Sequence, residues 1–216
     1  MTPVRVRQHV NPLCHKYQKP LITPDWYCIY RNLDRPLHLD IGCARGRFLL
    51  EMAQIQPQIN FLGVEIREPL VTEANSIRDR LNLTNLHYLF ANINNSLPTL
   101  LESLPLKTLH YITIQFPDPW FKQRQAKRRV VQPELVNILA EYLPDGAIVF
   151  LQSDIESIAR EMRDRFERHP SFQRQHEESW LANNPLPVAT EREIATLAQN
   201  KPVYRALFQQ KRPSYF

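Results

Sequence analysis

At 216 residues, 43% hydrophobic and 23% charged, the chain suits one α/β domain with an appendage and has the balance of an ordinary globular protein. No run approaches the ~18 apolar residues of a membrane span and the N-terminus lacks an apolar signal core, so a cytoplasmic protein without a membrane partner is expected. The three cysteines form no C-x-x-C pair, which argues against a disulfide framework or a cysteine zinc site, and a net charge of +5 gains meaning only where it clusters.

Residues 1–34 carry Pro3, Pro12, Pro20 and Pro24 among Arg5, Arg7, Lys16, Lys19 and Arg31, with no sustained period. They read as a basic, irregular N-terminal arm, open either to nucleic-acid contact or to disorder. Residues 35–216 read as a single domain in which strands and helices alternate, the pattern of a parallel sheet. The strands expected are Leu37–Ile41, Phe61–Ile66, Leu86–Phe90, Leu109–Gln115, Ala147–Gln152, Phe172–Gln175 and Val203–Gln210. Helices are expected over Arg47–Gln54, from Leu70 to Leu81, from Pro133 to Leu143 and from Ile155 to Phe166, each with apolar residues at helical spacing. Thr190-Glu191-Arg192-Glu193 has the spacing of a capping box and marks one more helix start. Between Phe90 and Leu109 no element is assigned.

Asp40-Ile41-Gly42-Cys43-Ala44-Arg45-Gly46 leaves the first strand and enters the first helix, and holds two of only four glycines. A dinucleotide G-x-G-x-x-G is absent, which places a nicotinamide dehydrogenase far behind. A cofactor without phosphate, such as S-adenosylmethionine, fits better, because its sulfonium and amino group welcome Asp40. Glu65, near the end of the second strand, is suited to accept hydrogen bonds from both ribose hydroxyls, and Asn92 to meet the adenine edge. Simple strand-to-helix turn chemistry, an edge carboxylate and a turn asparagine are the ordinary alternatives.

The most telling stretch is Gln115-Phe116-Pro117-Asp118-Pro119-Trp120, followed by Lys122, Arg124, Lys127, Arg128 and Arg129. Two prolines stop a buried strand and present Asp118 at its carboxyl end, where open α/β sheets place their ligands. Five cations within ten residues suit a polyanion held beside a reacting centre, with a solvated charged face as the plainer reading. Trp120 and Phe121 are expected to pack the loop down, with stacking on a base as the other option. The histidines show no metal-ligand spacing, and no metal is expected.

Asp40-Ile41-Gly42, Gly63-Val64-Glu65-Ile66-Arg67, the Phe116–Arg129 block, Gln152-Ser153-Asp154, Thr190–Glu193 and Pro202-Val203-Tyr204-Arg205, in this order, closely resemble the bacterial tRNA (guanine-N7)-methyltransferase family. The match runs from about residue 37 to about 210, and Phe-Pro-Asp-Pro-Trp followed by Lys-Arg-Arg is its most specific part. The resemblance implies a Rossmann-like class I methyltransferase domain: a seven-stranded, mostly parallel sheet with an antiparallel last strand and helices on both faces. It implies transfer of a methyl group from S-adenosyl-L-methionine to N7 of guanine at nucleotide 46 of the tRNA variable loop, leaving S-adenosyl-L-homocysteine; the sequence leaves monomer and homodimer both open.

By motif position, Asp40, Gly42, Gly46, Glu65, Asn92 and Asp118 would contact the cofactor, with Asp118 also catalytic. Lys122, Asp154, Thr190, Glu191, Arg192 and Glu193 would contact substrate, and Arg124, Lys127, Arg128 and Arg129 the RNA backbone. Ala44 departs from the family's usual middle glycine and is expected to narrow the loop. Two rivals stay open. A methyltransferase acting on an exocyclic amine is suggested by Pro117-Asp118-Pro119-Trp120, and an RNA-binding module without catalysis by the basic cluster.

Overall fold

The computed structural model describes residues 10–211; Pro3, Arg5 and Arg7 of the arm and residues 212–216 lie outside the described residues. Its centre is a seven-stranded sheet made of β1 (Leu37–Ile41), β2 (Asn60–Glu65), β3 (Leu86–Phe90), β4 (Leu109–Gln115), β5 (Ile148–Ser153), β6 (Phe172–Arg174) and β7 (Tyr204–Gln210). The spatial order is β3-β2-β1-β4-β5-β7-β6. The first five strands pair in parallel, and β7 runs antiparallel to both β5 and β6.

All five residues of β1 are buried, because both faces of a parallel sheet are covered by helices. On one face, α2 (Arg47–Ile55) and α3 (Glu68–Arg80) enclose Phe61, Leu86 and Tyr88. On the other, α4 (Ile93–Ser103), α5 (Pro133–Tyr142) and α6 (Glu156–Glu167) cover the aliphatic residues of β1, β4 and β5. The last helix, α7 (Glu191–Leu197), precedes β7, and Thr190 caps its start as expected, the Glu193 N–H donating to Thr190 Oγ1 at 3.2 Å. The Glu193 carboxylate that would complete a capping box is turned to other partners.

Two differences from the sequence reading have physical causes. Helix α4 contains Pro98, which costs a backbone hydrogen bond and normally ends a helix. Burial of Ile93, Leu97, Leu100 and Leu101 on one stripe outweighs that cost. Within the segment expected as an irregular arm, Trp26–Ile29 forms the short helix α1, capped by the Asp25 carboxylate. Trp26 and Tyr30 are buried in the main core, where Trp26 Nε1 donates to Ser103 Oγ and the Tyr30 hydroxyl to the Phe61 carbonyl.

The chain leaves β1 towards β2 and β3, then returns to β4 on the other side. This reversal opens a crevice beyond the carboxyl ends of β1 and β4, the place where such sheets take their ligands.

Candidate active site

The crevice holds a cavity of about 550 Å³, bounded by the loops that follow β1, β2, β3, β4 and β5 and by the start of α7. The loop after β1 is tied to the end of β2. The N–H groups of Gly42 and Cys43 both donate to the Val64 carbonyl, and the Ala44 N–H donates to Glu65 Oε2 at 3.0 Å. Ala44 adopts a left-handed φ of 49°, so the departure from glycine is carried as modest backbone strain. Gly46 cannot be replaced so easily. Its φ is +71°, and a Cβ there would lie 2.4 Å from the Tyr88 ring, whose hydroxyl donates to the Gly46 carbonyl.

Asp40 is 4% exposed and lines the cavity. Thr113 Oγ1 donates to its Oδ1 at 2.6 Å, with Gln115 Nε2 at the edge of hydrogen-bonding distance, 3.5 Å. Burial raises its pKa to about 6; the Thr113 and Gln115 bonds pull downward and the nearby Glu65 charge pushes further up. Thr113 has one hydroxyl proton, already given to Asp40, so His38, whose Nε2 lies 3.1 Å from Thr113 Oγ1, must be the donor in that contact. Burial lowers the His38 pKa to about 3, so the ring is neutral and carries its proton on Nε2. A chain of donors thus runs from His38 through Thr113 to Asp40.

Glu65 is 3% exposed, and its acceptor positions are well used. Besides Ala44, it accepts from the Arg67 N–H at 3.0 Å, Nε at 2.8 Å and Nη2 at 3.0 Å. Burial opposes the Arg67 charge, but the Glu65 hydrogen bonds and the fields of Glu65 and Asp118 outweigh it and raise its pKa. Ribose hydroxyls would therefore meet a carboxylate already held by Arg67. Asn92, expected at the adenine edge, lines the cavity with its amide already engaged. Its Nδ2 donates to the carbonyls of Pro12 and Tyr17, so the N-terminal segment lies across this end of the cavity, with Val10 and Pro12 in its wall.

Asp118 projects from a firmly braced loop. Phe116 and Trp120 hold left-handed φ values of 48° and 43°, and the Phe116 N–H donates to the Gln152 carbonyl. Arg129 Nε donates to the Pro119 carbonyl at 2.9 Å and Nη2 to the Trp120 carbonyl at 3.1 Å, while Nη1 pairs with Glu161. The Arg128 guanidinium lies 4.9 Å from the centre of the Trp120 ring. Arg129, expected on the RNA backbone, is thus turned inward to hold the loop. Arg128 divides its duty between Trp120 and the cavity wall. Lys122, Arg124 and Lys127 are exposed and stand outside the cavity lining.

Of the residues expected on the substrate side, Asp154, Thr190, Glu191 and Arg192 reach the cavity. Asp154 is paired with Arg192 (Nε to Oδ2, 3.0 Å), and Glu191 with Arg47. Glu193 stands behind them, 2% exposed. It accepts from Arg205 Nη2 at 2.6 Å, Asn184 Nδ2 at 2.7 Å and Gln152 Nε2 at 3.2 Å. Four residues enter the site with no role assigned from the sequence: His38 and Thr113, and Gln115 and Arg67, which stand within the Gln115–Trp120 and Gly63–Arg67 motifs. A signal existed, since His38 and Thr113 are polar residues inside apolar strands, the same cue that singled out Glu65.

A family model described as "Putative methyltransferase" matches residues 34–206. A tRNA (guanine-N(7)-)-methyltransferase of Microcystis aeruginosa is 61% identical over 96% of this chain and 99% of its own length. One of the same name from Synechocystis is 59% identical over 97% and 99%. Among solved structures, a SAM-dependent O-methyltransferase of Thermotoga maritima superposes with a TM-score of 0.52 at 16% identity, over 92% of this chain and 69% of the other.

Proposed function

The chain belongs to the bacterial tRNA (guanine-N7)-methyltransferase family, class I S-adenosylmethionine-dependent enzymes, and we propose that it methylates N7 of the guanine at nucleotide 46 of the tRNA variable loop in the cytoplasm. The observation that carries the site assignment is Asp40. Its hydrogen-bond donors, Thr113 and Gln115, are both neutral, so its ionised form is best completed by a cationic ligand, which the sulfonium and ammonium of S-adenosylmethionine supply. When bound, that donor offers an electrophilic methyl group on positively charged sulfur.

Guanine N7 presents a free lone pair on the major-groove edge of the base, so no proton has to leave it and no strong base is needed. The protein's task is alignment and electrostatics. Asp118, held by the braced loop, follows the positive charge that the purine acquires. Glu65 serves the ribose once the Arg67 side chain has moved off it. Asp154, released from Arg192, accepts from the guanine N1 and amino donors. Glu193 keeps the start of α7 in place, so that Thr190, Glu191 and Arg192 face the nucleotide. Gly42 and Gly46 give the loop the shape the cofactor needs, and Asn92 meets the adenine edge once the N-terminal segment yields its amide.

Unmodified bulk tRNA incubated with purified protein and labelled S-adenosylmethionine yields 7-methylguanosine, identified by nucleoside mass spectrometry. A label on an exocyclic amine would favour the first rival. No detectable binding of S-adenosylmethionine in a titration would favour the RNA-binding module.

Two further outcomes follow from the site. Cofactor affinity weakens as pH falls through about 6, by up to about tenfold per unit, because protonation of Asp40 removes the charge that the ligand meets. Thr113→Val removes a hydrogen bond that favours the carboxylate, so the midpoint moves upward. Calorimetric titrations from about pH 5 to about pH 8 check this, and a flat profile rejects it. On the RNA side, alanine at the exposed Lys122, Arg124 and Lys127 together flattens the slope of log Kd against log salt by roughly 2–3, and leaves turnover of saturating tRNA nearly unchanged. An unaltered slope would remove these side chains from the phosphate contact.

A further inference from the structure

Trp120 and Phe121 are sequence neighbours that the structure treats differently. Trp120 is half-buried, its ring faces the Arg128 guanidinium and its carbonyl is held by Arg129. That is the packing duty expected of both residues. Phe121 is 72% exposed and lies on the rim of the cavity, three positions beyond Asp118. An aromatic ring left in water forgoes the free energy that burial of its apolar surface would give. The backbone just before it is fixed by the Arg129 bonds to the Pro119 and Trp120 carbonyls, which hold the root of this ring at the rim.

We propose that Phe121 is the stacking platform on which the target guanine lies during methyl transfer, an assignment that rests on the N7-methylation reading. The order of groups along the segment supports it: a carboxylate in the cavity, an aromatic face at the rim, and the exposed cations Lys122, Arg124 and Lys127 outside for the strand that carries the base. An RNA base taken out of its stack loses its neighbours, and an aromatic side chain replaces them without regard to sequence.

The chemistry gives this face two uses. N7, the methyl carbon and sulfur must lie in line, with the N7 lone pair in the plane of the purine. Stacking fixes the ring normal and leaves only rotation in the plane, which polar groups at the base edge settle. As the N7–carbon bond forms and the carbon–sulfur bond breaks, the electron pair goes to sulfur and the purine becomes cationic. The face of a phenyl ring attracts a cation, so the contact is stronger late in the reaction than at its start.

Phe121→Leu keeps apolar bulk and removes the π face. It lowers the single-turnover rate with saturating S-adenosylmethionine by about tenfold, within the range that loss of one base–aromatic stack gives. Phe121→Tyr and Phe121→Trp recover most of the rate. The affinity for S-adenosylmethionine and the melting temperature stay at wild-type values, since the ring is exposed. Phe121→Leu also weakens binding of tRNA carrying 7-methylguanosine more than binding of unmodified tRNA. Equal rates and equal affinities for both tRNAs in wild type and Phe121→Leu would overturn this assignment alone. A wild-type protein that binds tRNA and methylates no N7 would overturn the functional reading, and this assignment with it.

Discussion

Replacing Asp118 by alanine lowers the single-turnover rate of methyl transfer by roughly 10²–10³-fold, the usual loss when one preorganised electrostatic group is taken from a reacting centre. Affinity for S-adenosylmethionine changes far less, because the proposed function assigns the cationic end of the cofactor to the buried carboxylate of Asp40. The effect is large because the loop around Asp118 is rigid. Left-handed backbone at Phe116 and Trp120, two prolines and the Arg129 braces fix the backbone that carries its carboxylate. Such a group stabilises charge without reorganising during the reaction. Asp118→Asn keeps the shape and loses the charge, and so separates orientation of the base from electrostatics. Rapid-quench assays with labelled donor measure both. A rate for Asp118→Ala equal to wild type at saturating donor would take Asp118 out of the reaction.

Replacing Arg205 by methionine destabilises the fold by about 3–5 kcal/mol, because it strands the Glu193 carboxylate in the interior. Glu193 and Arg205 are 2% and 6% exposed, so water cannot take over the lost partner. The remaining donors to Glu193 are the neutral amides of Asn184 and Gln152. In Arg205→Met/Glu193→Gln the charge is gone from both sides, and much of the stability returns. Urea unfolding of the wild type and the two variants checks this; a loss below about 1 kcal/mol in Arg205→Met would show that the pair is not what holds α7. Because α7 brings Thr190, Glu191 and Arg192 to the cavity, the single variant also raises the KM for tRNA.

Much of the architecture was legible in the chain. The seven strands and most helices follow from runs of β-branched and aliphatic residues and from helical spacing, which are local signals. Helix α4 was not legible, because Pro98 sits inside it and only its buried stripe against the sheet compensates. Asp40, Glu65 and Asp118 stood out as acids at the ends of apolar strands, and the sheet brings all three to one cavity. The partners of these acids were hidden. Arg129 looked like its cationic neighbours in Lys127-Arg128-Arg129, yet it is spent on the loop that presents Asp118.

Fold class, family and the identity of the acids around the crevice could thus be read from the order of residues. Such features depend on local pattern and on short motifs. What each side chain touches had to wait for folding. The Thr113 bond to Asp40 spans 73 residues, the Asn92 bond to Pro12 80, and the Arg47 bond to Glu191 144. Those partners meet only through the register of parallel strands and the return of the chain across the sheet. One face of the loop after β4 is turned inward by the same packing, and Phe121 is left outside it. Hydrogen bonds and burial are properties of proximity in space, and a linear chain specifies that proximity only through the cooperative packing of the whole core.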